Sequence, residues 1–236
     1  MRGGARLPLL QVSRCALVTG AARGIGAAIV ERLAADGWQV HAVDLEDGDL
    51  TTREGNRAVV HAALERFDGR LDAVVANAGF QHVAPLREFP EDEWDRLQAL
   101  LLTSPFLLAK YAWDALAASG DGRFLVVASA HALVASPFKA GYVAAKHGVL
   151  GLVKVLALEG AEVGISASAL CPAYVRTELV EKQLADRSLD DLLAPQAVKR
   201  LLEPSEVAAA AAWLLGPDGR SVTGAPLVLD LGWTAR

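Results

Sequence analysis

The stretch "CALVTGAARGIGAAIVERLAADGWQVHAVD", Cys15 to Asp44, constrains the fold more than any other part of the chain. An apolar run, Ala16 to Gly20, ends in a glycine-rich turn. It passes at once into apolar residues at helical spacing (Ile25, Ile29, Leu33) that stop at Gly37, and a second strand-like run closes on Asp44. Strand, turn, helix and strand in that order make a βαβ unit, the connection that parallel strands require. The alternation continues. Leu71 to Gly79, Arg123 to Ser129, "ISASALCP" and "APLVLD" read as buried strands; Asn56 to Phe67, Glu91 to Ala118, Gly141 to Glu162 and Ser205 to Leu215 read as helices. The expected fold is α/β, one Rossmann-like, doubly wound parallel sheet. A hydrophobic fraction of 53% with only 6% aromatic residues suits strands buried on both faces. Residues 14–236 form this single domain, and residues 1–13 are expected to be a flexible extension.

A net charge of −5 without any basic block argues against nucleic acid or an anionic membrane surface as partner. The apolar patch Leu7 to Leu10 is too short for a signal-peptide core, and Gly or charge interrupts every longer apolar run. Cys15 and Cys171 each lie in an apolar run, which favours two buried thiols over a disulfide. A cytoplasmic protein is expected.

"TGAARGIG" sets Gly20, Gly24 and Gly26 between the first strand and the first helix. Small residues there let the backbone approach a pyrophosphate, and the helix N-terminus supplies free N–H groups and positive potential. Asp44 closes the next strand eighteen residues after Gly26, where a carboxylate accepts from a ribose 2′-hydroxyl and repels a 2′-phosphate. That favours NAD over NADP, although Arg23 beside the turn pulls the other way.

"ASAHALVASPFKAGYVAAKHG" holds Ser129, His131, Lys139, Tyr142 and Lys146. Tyr142 and Lys146 are four apart on a helical stretch and share a face; Ser129 ends a strand, where parallel sheets bind ligands. A phenol is a poor base at neutral pH unless nearby positive charge stabilises its phenolate. Lys146 and an oxidised nicotinamide are expected to do so. Tyr142 would then take an alcohol proton while Ser129 holds the oxygen.

"TGAARGIG", "ANAG", Ser129, "YVAAK" and "CPAYVRT", in this order, resemble the short-chain dehydrogenase/reductase family from Cys15 to the C-terminus. The resemblance implies Ser129, Tyr142 and Lys146 as catalytic residues. It implies a cofactor site of Gly20, Arg23, Gly24, Ile25, Gly26, Asp44, Asp49, Leu50, Asn77, Ala78, Gly79, Tyr142, Lys146, Pro172, Val175 and Thr177. No metal is implied, and a homotetramer or homodimer is. Apolar helix faces at Leu101 to Ala118 and Gly141 to Glu162 fit such association. His131 and Lys139 are not needed for alcohol oxidation, but suit a substrate carrying an anion. With "NAGFQHVAP", "CPAYVRTELVEKQL" and "GWTAR" they resemble a narrower group, the bacterial D-3-hydroxybutyrate dehydrogenases. In that group the residues matching Gln81, His131, Lys139 and Gln183 hold the substrate carboxylate. The activity implied is reversible oxidation of (R)-3-hydroxybutyrate to acetoacetate with NAD.

Three departures stand against the family pattern. "DLEDGDLTTREGN" runs from Asp44 into the next helix almost directly, so the usual helix and most of the following edge strand are expected to be missing. Leu101 occupies a position where many members have an asparagine that steadies a relay water. The segment from Gln183 to Pro204, expected to form a lid, is short. Ala173 replaces a usual glycine, a milder change. Two further readings therefore stay open: a dehydrogenase for another small hydroxy acid or alcohol, and a degenerate nucleotide-binding protein without catalysis.

Overall fold

The structure, a computed structural model, describes residues 13–184 and 188–235. The expected flexible extension, residues 1–13, lies outside them except for Ser13. Six strands run parallel in the order β2-β1-β3-β4-β5-β6: β1 Cys15–Thr19, β2 Gln39–Val43, β3 Ala73–Ala76, β4 Gly122–Val127, β5 Ile165–Pro172 and β6 Pro226–Leu229. The chain reverses direction between β1 and β3, so their carboxyl ends open a crevice where ligands bind in such sheets. One face of the sheet carries α1 (Gly24–Ala35) and α8 (Pro204–Leu215). The other carries α2 (Arg53–Arg66), α4 (Ser104–Ala118) and α5 (Ala140–Gly160). β1, β3 and β4 are buried along their whole length, which accounts for their uninterrupted apolar sequence. By length and composition, Ala140–Val163 could cross a membrane, yet this helix packs on β5 and carries both Tyr142 and Lys146.

The expected single helix from Glu91 to Ala118 is three pieces: α3 (Glu91–Gln98), a π-helical turn (Ala99–Thr103) and α4. Pro105 explains the change. It has no N–H to return to the carbonyl four residues back, so the ladder widens by one residue, with Ser104 N–H reaching Ala99 O.

The shortened segment is closed by a compact loop, and β2 becomes the sheet edge. Asp49 O accepts from both the N–H (3.0 Å) and the hydroxyl (2.9 Å) of Thr52, whose Oγ1 in turn caps α2 by accepting from Gly55 N. Buried Asn56 donates to Leu50 O (2.8 Å) and Thr52 O (2.7 Å) and accepts from Ser104 Oγ (2.7 Å), which ties the loop to α4. The loop lies so close on α2 that a Cβ at Gly55 would stand 2.1 Å from Asp49 O. Gly55→Ala is therefore expected to destabilise the protein by roughly 1–3 kcal/mol. In a thermal melt that is a Tm lower by about 3–10 °C.

Candidate active site

The glycine-rich turn is shaped by close approach. Gly20 and Gly24 hold φ of 63° and 57°, in the left-handed region. A Cβ on Gly26 would lie 2.0 Å from Gly20 O and 2.6 Å from Asn77 Nδ2. Asn77 staples the turn to the end of β3, its amide donating to Thr19 O (2.9 Å) and Gly20 O (3.0 Å). Thr19 Oγ1 accepts from the N–H groups of Asn77 and Ala78. The first turn of α1 has no side-chain cap, so its N–H groups remain available to an anion. This cradle, which a side chain would fill, fits the pyrophosphate of a dinucleotide.

A cleft of about 1000 Å³ runs from that turn across the carboxyl ends of the strands. Gly20, Arg23, Gly24, Ile25, Asp44, Asp49, Leu50, Asn77, Ala78, Gly79, Tyr142, Lys146, Pro172, Val175 and Thr177 all line it. Gly26 does not line it; it sits beneath Gly20 and permits the approach. Asp44 accepts from Ala22 N (2.9 Å) and Leu45 N (2.8 Å), which holds its carboxylate at the cleft. Arg23 pairs with Glu178 at 2.6 Å, so its charge is shared with the helix α6 (Glu178–Leu184) rather than offered alone. Asp49 and Leu50 reach the cleft because the shortened loop turns inward there.

At the other end, Ser129 follows β4, and α5 brings Tyr142 and Lys146 beneath it. Lys146 Nζ donates to Val127 O at 2.8 Å and lies 5.7 Å from the Tyr142 ring centroid. Burial pulls the ammonium down to about 8. Burial also raises the Tyr142 phenol above its ordinary 10, while hydrogen bonds from Ser129 and Gln81 pull it down. In the protein alone desolvation thus outweighs Ser129 and Gln81, and the lowering comes from them rather than from Lys146 as expected.

His131 is buried at 2% exposure, in edge contact with Tyr142 (5.9 Å), Tyr174 (6.3 Å) and Trp233 (4.8 Å). Burial, then the charge of Lys139, lowers its imidazole to about 3, so it stays neutral. Lys139 is also buried, with Nζ 5.4 Å over the Tyr174 ring; Tyr174 lines the cleft and Lys139 does not. Gln81 lines the cleft, and its Oε1 is a buried acceptor without a hydrogen-bond partner. Gln183 falls within α6, but its side chain lies outside the described residues. Phe138 holds a left-handed φ of 68°, and its carbonyl accepts from Ala84 N. That bond ties the loop carrying Lys139 to the loop carrying Gln81.

Sequence reasoning missed the aromatic wall. Tyr174 stacks on Trp233 at 5.2 Å, and both pack with Val180 of α6 and with Leu192 and Leu193 of α7 (Leu189–Leu193). Asp230 holds Trp233 in place by accepting from Gly232 N (2.9 Å) and from Thr234 N and Oγ1 (2.6 Å each). The only signal was the presence of both rings in loop motifs, "CPAYVRT" and "GWTAR", where no periodicity points to a partner.

Two measurements test this geometry. Gly26→Ala is expected to weaken binding of the reduced nicotinamide dinucleotide, NADH or NADPH, by about tenfold or more, read by fluorescence titration, because the cradle must open. His131, near 6.5 when unfolded and about 3 when folded, makes the unfolded chain bind more protons between those values. Its contribution to stability is thus full above pH 6.5 and is lost as pH falls toward 3, at up to about 1.4 kcal/mol per pH unit. Urea unfolding at pH 7 and pH 5 should show that loss, and His131→Gln should flatten it.

The family model described as enoyl-(acyl carrier protein) reductase matches residues 20–234. The chain is 40% identical to an uncharacterised oxidoreductase of Bacillus subtilis, over 94% of this chain and 98% of the relative. It is 36% identical to a D-beta-hydroxybutyrate dehydrogenase of Rhizobium meliloti, over 95% of this chain and all of the relative. It is also 34% identical to a D-threitol dehydrogenase of Mycolicibacterium smegmatis, over 94% of each. The Rhizobium match extends over 259 residues against the 236 of this chain, in keeping with the lost helix and edge strand. Glycine cradle, Ser–Tyr–Lys cluster, sheet order and these matches agree: the chain belongs to the short-chain dehydrogenase/reductase family, whose enzymes use NAD or NADP.

Proposed function

We propose that the protein oxidises (R)-3-hydroxybutyrate to acetoacetate, reversibly, with NAD. The observation that carries this reading is a cation: Lys139 is buried beside Tyr174, whose ring packs with His131 and Trp233 next to Tyr142. A short acid suits such a compartment, its carboxylate drawn by buried positive charge and its alkyl end packed on rings. Gln81 turns its amide toward Tyr142 and leaves Oε1 free. Rotation of that amide offers its NH2 to a carboxylate.

When bound, the oxidised nicotinamide supplies the hydride acceptor and a positive charge near the phenol. Within the protein, Ser129 donates to the substrate oxygen and fixes the reacting carbon. Tyr142 takes the hydroxyl proton. Lys146, held by Val127 O, keeps a positive charge under the phenol. The lid segments α6 and α7 pack on the aromatic wall and limit water around the reacting atoms. The Asp44 carboxylate supports NAD, because a 2′-phosphate beside it would meet charge repulsion.

Another small hydroxylated substrate is favoured by one observation, that Tyr174 lines the cleft and Lys139 does not. A homotetramer or homodimer is part of the proposal, with Val155 and Leu158 on α5 and Phe106 on α4 exposed for association. NADH absorbance should rise with (R)- and not with (S)-3-hydroxybutyrate. Tyr142→Phe should abolish the signal, and Lys139→Ala should raise KM by roughly tenfold or more with a smaller change in kcat. Turnover of neutral alcohols alone would defeat the carboxylate reading.

A further inference from the structure

Each cycle of alcohol oxidation leaves a proton on Tyr142 that must reach solvent. Beneath Lys146, on the side away from the cleft that it and Tyr142 line, the way is closed. The ammonium is fixed to Val127 O, and the space beyond it is a void of about 10 Å³ bounded mainly by Leu100, Leu101, Leu108 and Val126. That volume is at the lower edge of what one water needs, and a buried water also needs two to four polar partners. The hydroxyls there are engaged: Thr19 with Val75 O and the N–H groups of Asn77 and Ala78, Ser104 with Asn56.

On the other side a line of exchangeable protons leads outward. Tyr142 and Ser129 line the cleft together, and Ser129 is near enough to draw the phenol down. Ser129 Oγ lies 3.5 Å from His131 Nδ1, and His131 Nε2 lies 3.0 Å from Ser136 Oγ. Ser136 is half-buried, and the next two residues, Pro137 and Phe138, are exposed. Both imidazole nitrogens thus face hydroxyls, an arrangement that binding a carboxylate does not require. The 3.5 Å step is long, as catalytic hydrogen bonds are before substrate tightens them.

We propose that the proton taken up by Tyr142 leaves through Ser129, His131 and Ser136, with the Ser136 hydroxyl as the last relay group before solvent. The Tyr142 O–H bond breaks as a proton joins Ser129 Oγ, and the proton Ser129 carried passes to His131 Nδ1. The Nε2–H bond breaks in the same movement, and its proton leaves by way of Ser136. One proton enters the relay and one leaves: Tyr142 returns to the phenolate that accepts the next alcohol proton, and His131 stays neutral as its proton changes from Nε2 to Nδ1. Burial keeps the imidazole neutral, so it passes a proton on rather than trapping it. The relay rests on the alcohol-oxidising role of Tyr142 and not on the identity of the acid.

The test uses Ser136→Ala, since Ser136 touches the site only through His131 Nε2. Oxidation is followed in H2O and D2O with any alcohol that the wild type turns over. In the variant kcat is expected to fall about threefold to tenfold at unchanged KM, with a larger solvent isotope effect, and Ser136→Thr to restore both. Spectra of the cofactor-free protein with 15N-labelled histidine give a second readout that needs no turnover. In the wild type His131 exchanges between tautomers, because a hydroxyl can donate or accept at Nε2. In Ser136→Ala the ring settles with Nδ1–H donating to Ser129. Unchanged kcat and isotope effect in Ser136→Ala, or a single His131 tautomer in both proteins, overturns the relay. Oxidation of neutral alcohols without hydroxy acids would defeat the carboxylate reading while leaving both relay readouts decisive.

Discussion

The chemistry of this protein depends on a cation held out of bulk water at the wall of the cleft. Lys146 is buried, its ammonium pulled from 10.5 to about 8, a cost to the fold of roughly 3 kcal/mol below that pH. Among the described residues its partners are one carbonyl, Val127 O, and the face of the Tyr142 ring. Replacing such a group with an apolar side chain would relieve the cost and remove the charge under the phenol. The packing of α5 on β5 offsets the penalty by burying Val149, Val153 and Leu156 along the same helix. Stability along that helix is thus exchanged for reactivity at its first two turns.

Because the cation is anchored on β4 and α5, the reacting end of the cleft lies in the middle of the sheet. The shortened segment lies at the β2 edge. Loss of an edge strand therefore leaves Ser129, Tyr142 and Lys146 supported by β4, β5 and α5, while the rim that faces the other end of the cofactor is remade from Asp49 and Leu50. Leu101 follows the same economy. It joins Leu97, Tyr142 and Ala145 in one apolar cluster, and so firms the packing around the phenol while closing the Lys146 side to water.

Much of this was legible in the chain itself. The βαβ order, the glycine turn, the acid at Asp44 and the Tyr142–Lys146 pair depend on spacing within one turn or one crossover, and local spacing survives folding unchanged. The split at Ala99–Thr103 was equally local, written in Pro105, but proline early in a helix reads as a start as easily as a defect. Tyr174 and Trp233 were illegible as a pair: fifty-nine residues separate them, and each lies in a loop without periodicity.

By itself the sequence determined the fold class and pointed to the crevice at the carboxyl ends of the strands and to the Ser129, Tyr142 and Lys146 cluster, because those follow from short-range pattern and side-chain chemistry. Only the tertiary structure decided the protonation preferences. Desolvation depends on every layer packed around a group, so the phenol rises, the imidazole stays neutral and the ammonium falls for reasons that no short motif contains. The tertiary structure likewise decided that Lys139 is buried against the Tyr174 ring, and that both nitrogens of His131 meet serine hydroxyls.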